Sequence, residues 1–469
     1  MGSGSLLLIG SNGPEDKFLY GNPKKTYFKN VFVKARNFAL EYAKIPEANS
    51  NIDFGRTFKV SVPHSGDLLA GIYLDFTLSD LVRSGTYTLG SDPLHTTTLP
   101  QFSSYVNGIG YNILKEVKLY IGGNHIQTLS GELIYIINEL HSGHNKSETF
   151  KHLAKFGAPP LFIIKTSNTS SVSCQLQLPF FFSKDPGQYL PLCALTNSKI
   201  ELEITLRSFE ECVIKSYSSG IGDSRGSLID AGATAPDTGD LYNEKLKPGT
   251  IDSFDIITQK LFLDPEDQKL FRICPKLDYM IELYHIGDEE KILNPSQDNT
   301  YSFDLQSRHP TKYIVWVLQR KDIYDAHMYD NYTHDFTFRK SADETDRYKY
   351  DTNSHLLTEA DILLDNIKVI NGINPIFISK TQMYEKFSGP AGLQPIYIYN
   401  FSLEPDSNQP TGTINMSSFS KKTFQIKLCN EANYTSSVGG AKSDILFRHY
   451  TCYFNILVIS DGMAGLMYN

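Results

Sequence analysis

The sequence is poor in tryptophan, in cysteine and in long apolar runs. Of its 469 residues one is Trp and six are Cys (Cys174, Cys193, Cys212, Cys274, Cys429, Cys452), none in a CxxC pair. Six scattered cysteines are too few for a disulfide scaffold, so they read as reduced core thiols of a cytosolic product. No stretch approaches the ~20 apolar residues of a membrane-spanning helix. The N-terminus, MGSGSLLLIG, has no positive residue before its four apolar ones and does not read as a secretory signal. Leu6 also stands where myristoylation needs Ser or Thr. Positive charge is not in excess either: 44 Lys and Arg face 52 Asp and Glu, a net charge of -8. Well-mixed charge of that sign argues against a nucleic-acid-gripping face.

Catalytic and metal signatures are equally sparse. None of the 12 histidines forms HxH, HxD or HxE, the spacings that put two ligands on one strand face. His141 and His144 make HxxH without the glutamate of HExxH, and they read as surface histidines. No GxxxxGK[ST] phosphate loop occurs. Gly222-Asp223-Ser224-Arg225-Gly226 matches the GxSxG nucleophile elbow, but that motif works only at a strained strand-to-helix turn. Here it sits in Glu210–Gly249, a stretch rich in Ser, Gly and Asp that is expected to be an exposed, flexible loop. The N-x-[ST] triplets at Asn145, Asn168, Asn331, Asn400, Asn415 and Asn433 matter only in a secreted chain. No catalytic, cofactor-binding or metal-binding residue is therefore assigned, and no enzyme is expected.

What is abundant is the composition of β-structure. There are 28 Phe, 28 Tyr, 33 Gly and 22 Pro, and apolar residues at 41% suffice for a core. Short alternating segments rich in Val, Ile, Tyr and Phe recur: Thr57–Val62, Leu68–Leu78, Leu114–Ile121, Val172–Phe182, Ile200–Leu206, Tyr279–His285, Tyr313–Leu318, Ile396–Phe401, Phe424–Leu428 and Tyr450–Ile459. So many short strands predict an all-β chain of sandwiches, since faces this apolar need a second sheet over them. The single Trp316 falls in such a strand and reads as core. Helix is the minority. Leu133, Ile136, Ile137 and Leu140 predict an amphipathic helix within Glu132–Phe156, and Asp264-Pro265-Glu266-Asp267 predicts a second, with Asp264 as N-cap.

The chain also echoes itself. Lys118, Gly122, Asn124 and Ile126 recur as Lys368, Gly372, Asn374 and Ile376, an offset of 250 residues. Phe182-Ser183-Lys184-Asp185-Pro186 recurs as Phe401-Ser402-Leu403-Glu404-Pro405 at a shorter offset, the difference falling where the helical segment sits in the first half. Two echoes in one order favour two copies of one β-domain.

Several ordered motifs then resemble the major capsid protein of nucleocytoplasmic large DNA viruses. They begin with Phe18-Leu19-Tyr20-Gly21-Asn22-Pro23, Thr26-Tyr27-Phe28-Lys29 and Asn37-Phe38-Ala39, followed by Gly66-Asp67-Leu68-Leu69, Ile121-Gly122-Gly123 and Leu190-Pro191-Leu192-Cys193-Ala194-Leu195. His309-Pro310-Thr311-Lys312-Tyr313, Gln409-Pro410-Thr411-Gly412-Thr413-Ile414-Asn415, Tyr453-Phe454-Asn455-Ile456-Leu457 and Gly462-Met463-Ala464-Gly465-Leu466 complete the set. Arg36 and Thr411 depart from the family's usual residues. The resemblance implies two consecutive eight-stranded antiparallel jelly rolls with a few short helices in loops. It divides the chain into an N-terminal arm (1–25), a first roll (26–263, with the helical insertion near 132–156 and the loop 210–249), a connecting helix (264–275) and a second roll (276–469). It further implies a homotrimeric, pseudo-hexagonal capsomer tiling an icosahedral virion shell, made in the host cytoplasm. Its implied partners are neighbouring capsomers, minor capsid and penton proteins, and, through those partners, an internal membrane, with no direct contact to nucleic acid. The competing expectation is a jelly-roll enzyme or carbohydrate-binding module, which should show a ligand cluster or an exposed aromatic platform.

Overall fold

The structure, a computed structural model, describes residues 34–45, 52–79, 102–156, 171–216, 249–287, 291–293, 300–325, 327–333, 355–389, 394–429 and 444–468, with Leu81 and scattered positions before residue 33. Two compact units are present, Met1–Phe38 and Ala39–Asn469. In the first, Tyr27, Phe28 and Phe32 are exposed.

The first roll consists of β1 (Phe38–Lys44), β2 (Thr57–Val62), β3 (Leu68–Leu78), β4 (Leu114–Ile121), β5 (Asn124–Leu129), β6 (Val172–Gln177), β7 (Ile200–Leu206) and β8 (Ile251–Leu263). They form two sheets, ordered β1-β8-β3-β6 and β2-β7-β4-β5. The second roll consists of β9 (Lys276–Ile286), β10 (Thr300–Asp304), β11 (Pro310–Arg320), β12 (Leu357–Leu364), β13 (Ile367–Ile373), β14 (Tyr397–Asn400), β15 (Lys422–Leu428) and β16 (Ile445–Ser460). Its sheets are ordered β9-β16-β11-β14 and β10-β15-β12-β13, so every strand of the first roll has its counterpart eight places later. The chain is thus a tandem of two antiparallel jelly rolls.

The alternation read from the sequence coincides closely with strands such as β2, β3, β4 and β7, because one face of each is apolar and covered. In the first roll Ile72, Leu74 and Phe76 of β3 face Val60, Val117, Leu119, Leu202 and Ile204 across one core. In the second, Ile314, Trp316 and Leu318 of β11 meet Ile362, Phe424 and Ile426. Trp316 is fully buried between Tyr397 (ring centroids 5.9 Å) and Phe424 (4.8 Å), as expected of a core residue. β11 is buried on both faces: Tyr313, Val315 and Val317, on its other side, belong to the first roll's core. That double burial explains why Tyr313–Leu318 is an unbroken apolar run.

Several expectations need correction. The first echo is out of register. Gly122 and Gly123 (φ +59° and +82°) make the two-residue turn between β4 and β5, and the matching turn between β12 and β13 is Asp365-Asn366 (φ +46° and +68°), not Gly372. Asp and Asn tolerate the left-handed region the turn demands, so the turn survived without its glycines. The helical segment is two helices, α1 (Gly131–His141) and α2 (His144–Leu153), broken where Ser142 turns extended (ψ 123°). The connecting helix α3 (Pro265–Ile273) has Pro265 in its first turn, but Asp264 caps through its carbonyl, accepting from Gln268 N–H at 3.0 Å, and not through its side chain. The proposed loop begins later than expected, since Val213–Ser216 pairs antiparallel with Phe102–Tyr105 and Cys212 and Val213 are buried in the core. Positions 217–248, including Gly222–Gly226, lie outside the described residues.

Candidate functional site

The features most in need of explanation are charged side chains inside strands that are otherwise apolar. Glu282 of β9, Lys312 of β11 and Arg448 of β16 all point into the seam between the rolls, where the first roll supplies Glu132 in the opening turn of α1 and Lys184. Removing such charges from water is costly unless each is paired.

At one end Ser130 caps α1, its Oγ accepting from Leu133 N–H at 3.2 Å, and this aims Glu132 at the second roll. Arg448 grips the carboxylate with two N–H donors, Nε to Oε2 at 2.7 Å and Nη2 to Oε1 at 2.7 Å. Tyr332 donates to Oε1 at 2.9 Å and Tyr450 donates to Oε2. Arg448 Nη2 also reaches Gln319 Oε1 at 2.6 Å, and Gln319 Nε2 donates to the carbonyls of Met328, Tyr329 and Asn331. Burial works to raise the Glu132 pKa, but Arg448 and the two phenols outweigh it and hold the carboxyl below its ordinary value.

At the other end Glu282 accepts from two cations, Lys312 at Oε1 and Lys184 at Oε2 (3.0 Å). Lys312 Nζ also donates to the Ser407 carbonyl at 2.9 Å. A chain of hydroxyls leads on from there: Tyr284 and Tyr313 lie 2.8 Å apart, and Tyr313 Oη is 2.7 Å from His141 Nε2. His141 Nδ1 is 2.7 Å from Asp406 Oδ1, whose Oδ2 accepts from Ser388. Burial, then the nearby Lys184 charge, lower the His141 pKa despite Asp406, so the ring is neutral. Nδ1–H therefore donates to Asp406, and Nε2 accepts from Tyr313. Gly389 closes this end: its N–H donates to the Leu140 carbonyl at 2.9 Å, and a Cβ there would lie 1.9 Å from the Glu139 carbonyl.

An acid, an imidazole and a hydroxyl in a row suggest a triad, but the hydroxyl is a phenol. Tyr313 is fully buried, and burial holds its pKa well above the ordinary value. A cavity of ≈ 400 Å³ opens beside His141, Lys184, Asp406 and Asn408. The network fastens α1 to β9, β11 and the loop after β14; its hydroxyl is not a nucleophile. A neutral buried histidine stabilises the fold at pH above its unfolded value of about 6.5 and loses that contribution as pH falls. A His141→Gln variant should accordingly lose less stability than the native chain between pH 7.5 and 5.5, measured as urea midpoints. Equal losses would exclude His141 as the responsible group.

His141 is thus an interior residue, not the surface histidine expected, while His144 is exposed. Of the six cysteines, none in a disulfide, Cys174, Cys193, Cys212 and Cys452 are core thiols, and burial pushes Cys174 and Cys212 up to about 12. Cys274, exposed at the end of α3, and Cys429, half-buried, correct the core assignment. Among the described residues no three His, Cys, Asp or Glu side chains group as metal ligands. Of the glycosylation triplets, Asn331 is buried, Asn400 and Asn415 spend their side chains on Ser402 and Ser417, and Asn145 is exposed on α2. Asn168 and Asn433 lie outside the described residues.

Comparison with known proteins gives this architecture a family. Residues 26–244 match the family of the major capsid protein N-terminus, and residues 272–465 match that of the large eukaryotic DNA virus major capsid protein. The major capsid protein of Paramecium bursaria Chlorella virus 1 is 26% identical over 99% of both chains, and that of Pyramimonas orientalis virus 23% over 100% of both. Among solved structures, a PBCV-1 virus capsid chain shares the fold with a TM-score of 0.70 at 20% identity, covering 95% of this chain and 100% of that one. The Faustovirus major capsid protein does so with a TM-score of 0.63 at 12% identity, over 97% of each. Two tandem rolls, matched half by half, make this chain a member of the major capsid proteins of large eukaryotic DNA viruses, a structural protein of the virion shell and not an enzyme.

Proposed function

We propose that the chain works as a homotrimer of six-sided outline that tiles an icosahedral shell. The observation that carries this reading is the repeat of one eight-stranded topology within one compact unit. Three such chains around an axis place six near-equivalent sandwiches in a ring, a block with six similar sides made from one gene product. Exposed apolar side chains, among them Leu40, Tyr42, Ile367 and Tyr384, supply surface that assembly would cover. Residues 1–25 act as an arm on the inner side, gripping minor capsid and penton proteins, and the internal membrane is reached through those partners. The net charge of -8 favours such contacts over packaged DNA. Synthesis takes place in the host cytoplasm, and the two rolls (26–263 and 276–469) act as domains joined at 264–275. Light scattering of the purified protein should give three times the 52.8 kDa chain mass, with threefold class averages by electron microscopy. A stable monomer at micromolar concentration would overturn the reading.

A further inference from the structure

One charge in the seam lacks an opposite partner. Arg207, the residue after β7, lines a cavity of ≈ 240 Å³ between the rolls, next to the Glu132–Arg448 pair. Among the described residues no carboxylate lies within ion-pair distance of its guanidinium, and its buried Nε donates to no acceptor. Rings and a hydroxyl stand where an acid would be expected: the guanidinium lies 4.6 Å from the centre of the Tyr329 ring, and the Tyr324 hydroxyl accepts from it. The acids nearby are committed elsewhere. Glu132 is held by Arg448, Tyr332 and Tyr450. Glu211, whose charge is felt at Arg207, gives Oε2 to the N–H and the Oγ of Ser208, at 2.9 and 3.0 Å. Apart from His449, the lining therefore carries two guanidinium groups against one carboxylate, an excess of one positive charge.

A desolvated cation without a counter-charge costs folding free energy, and a bound anion removes that cost. The cavity offers such an ion further donors. Asn112, 3% exposed, spends one amide N–H on the Asn107 carbonyl at 2.7 Å and keeps a second to donate. Tyr324 accepts from Arg207 and so has its own O–H to give. The planar fork of a guanidinium matches two oxygens of a tetrahedral oxyanion. A polar cavity of this size holds one such ion with part of its hydration shell.

We propose that this cavity binds one inorganic oxyanion of the phosphate class per chain, with Arg207 as its counter-charge and Asn112 and Tyr324 as further donors. Arg207 and Asn112 belong to the first roll and Tyr324 to the second, so the ion clips the two rolls together beside the Glu132–Arg448 pair. The site lies within one chain and stands whether or not the chain assembles.

Equilibrium dialysis of the full-length protein against radiolabelled inorganic phosphate, with chloride holding the ionic strength fixed, should give one bound ion per chain, displaced by sulfate. Binding to the folded chain alone links it to stability: each tenfold rise in phosphate above its Kd should raise the folding equilibrium constant about tenfold, read from urea midpoints. Arg207→Met should bind no phosphate and lose that dependence, while its stability in phosphate-free chloride stays close to native, since an uncompensated charge has been removed. Tyr324→Phe, which deletes one hydroxyl, should fold and bind phosphate severalfold more weakly, and it carries the test if Arg207→Met does not fold. Millimolar phosphate keeps the ion's general stabilising effect small, and that effect is the same for native and variant chains. Phosphate that fails to bind the native chain, or that binds equally to the native chain and to either variant, would overturn the site. So would an Arg207→Met chain destabilised to the same extent with and without phosphate, the behaviour of an arginine with a purely structural role.

Discussion

Replacing Arg448 with Met should destabilise the protein by about 3–5 kcal/mol, the range for removing one partner of a buried ion pair. The loss is large because Glu132 stays where it is. Its carboxylate is 15% exposed, and α1 holds it by the Ser130 cap, so it cannot swing out to water. Without Arg448 it keeps the Tyr332 and Tyr450 donors but no counter-charge, and Gln319 loses its donor from the guanidinium. Adding Glu132→Leu to Arg448→Met should recover much of the loss, since an apolar replacement of the whole pair leaves no buried charge behind. Urea denaturation at pH 7 measures both. A loss below about 1 kcal/mol for the single variant, as for an exposed pair, would show that the pair does not hold the seam.

The seam also shows what the sequence could and could not reveal. Strands such as Ile200–Leu206 were legible because one face is buried and the other wet, which writes a period of two into the chain. β1 (Phe38–Lys44) was not, because nearly all of its residues are exposed and its pattern has no covered face to record. The network residues left a fainter mark. Glu282 within Met-Ile-Glu-Leu-Tyr, Lys312 ahead of Tyr-Ile-Val-Trp-Val and Arg448 within Leu-Phe-Arg-His-Tyr are charges in otherwise apolar strands, and that conflict was the available signal. Their partners could not be read at all: Glu132 and Arg448 are separated by 316 residues, and only the packing of one roll on the other brings them together. His141 was misplaced for the same reason, since its surroundings are Tyr313, Phe387 and Asp406 of the second roll.

Glu282→Gln should cost a comparable 3–5 kcal/mol at pH 7, and more than Lys312→Met. The asymmetry follows from the count of charges. One carboxylate serves two ammonium groups, Lys312 (1% exposed) and Lys184 (20%), so its loss strands two cations, whereas loss of Lys312 leaves the one-to-one pair of Glu282 with Lys184. Acid should erase the difference between the Glu282→Gln variant and the native chain. Burial works to raise the Glu282 pKa, but Lys184 and Lys312 outweigh it and hold the carboxyl below its ordinary value. A depressed folded pKa means that the stabilisation is complete above the unfolded value of about 4.3 and fades as pH falls through the folded one. Urea midpoints of the native and Glu282→Gln chains should therefore stand far apart at pH 7 and converge below about pH 4. The network fixes the second roll against the first, so the same variant should also lose assembly at pH 7. A Glu282→Gln chain as stable as the native one, or a gap that widens in acid, would mean that the two lysines are neutralised by some other group and that the seam is held by its apolar contacts alone.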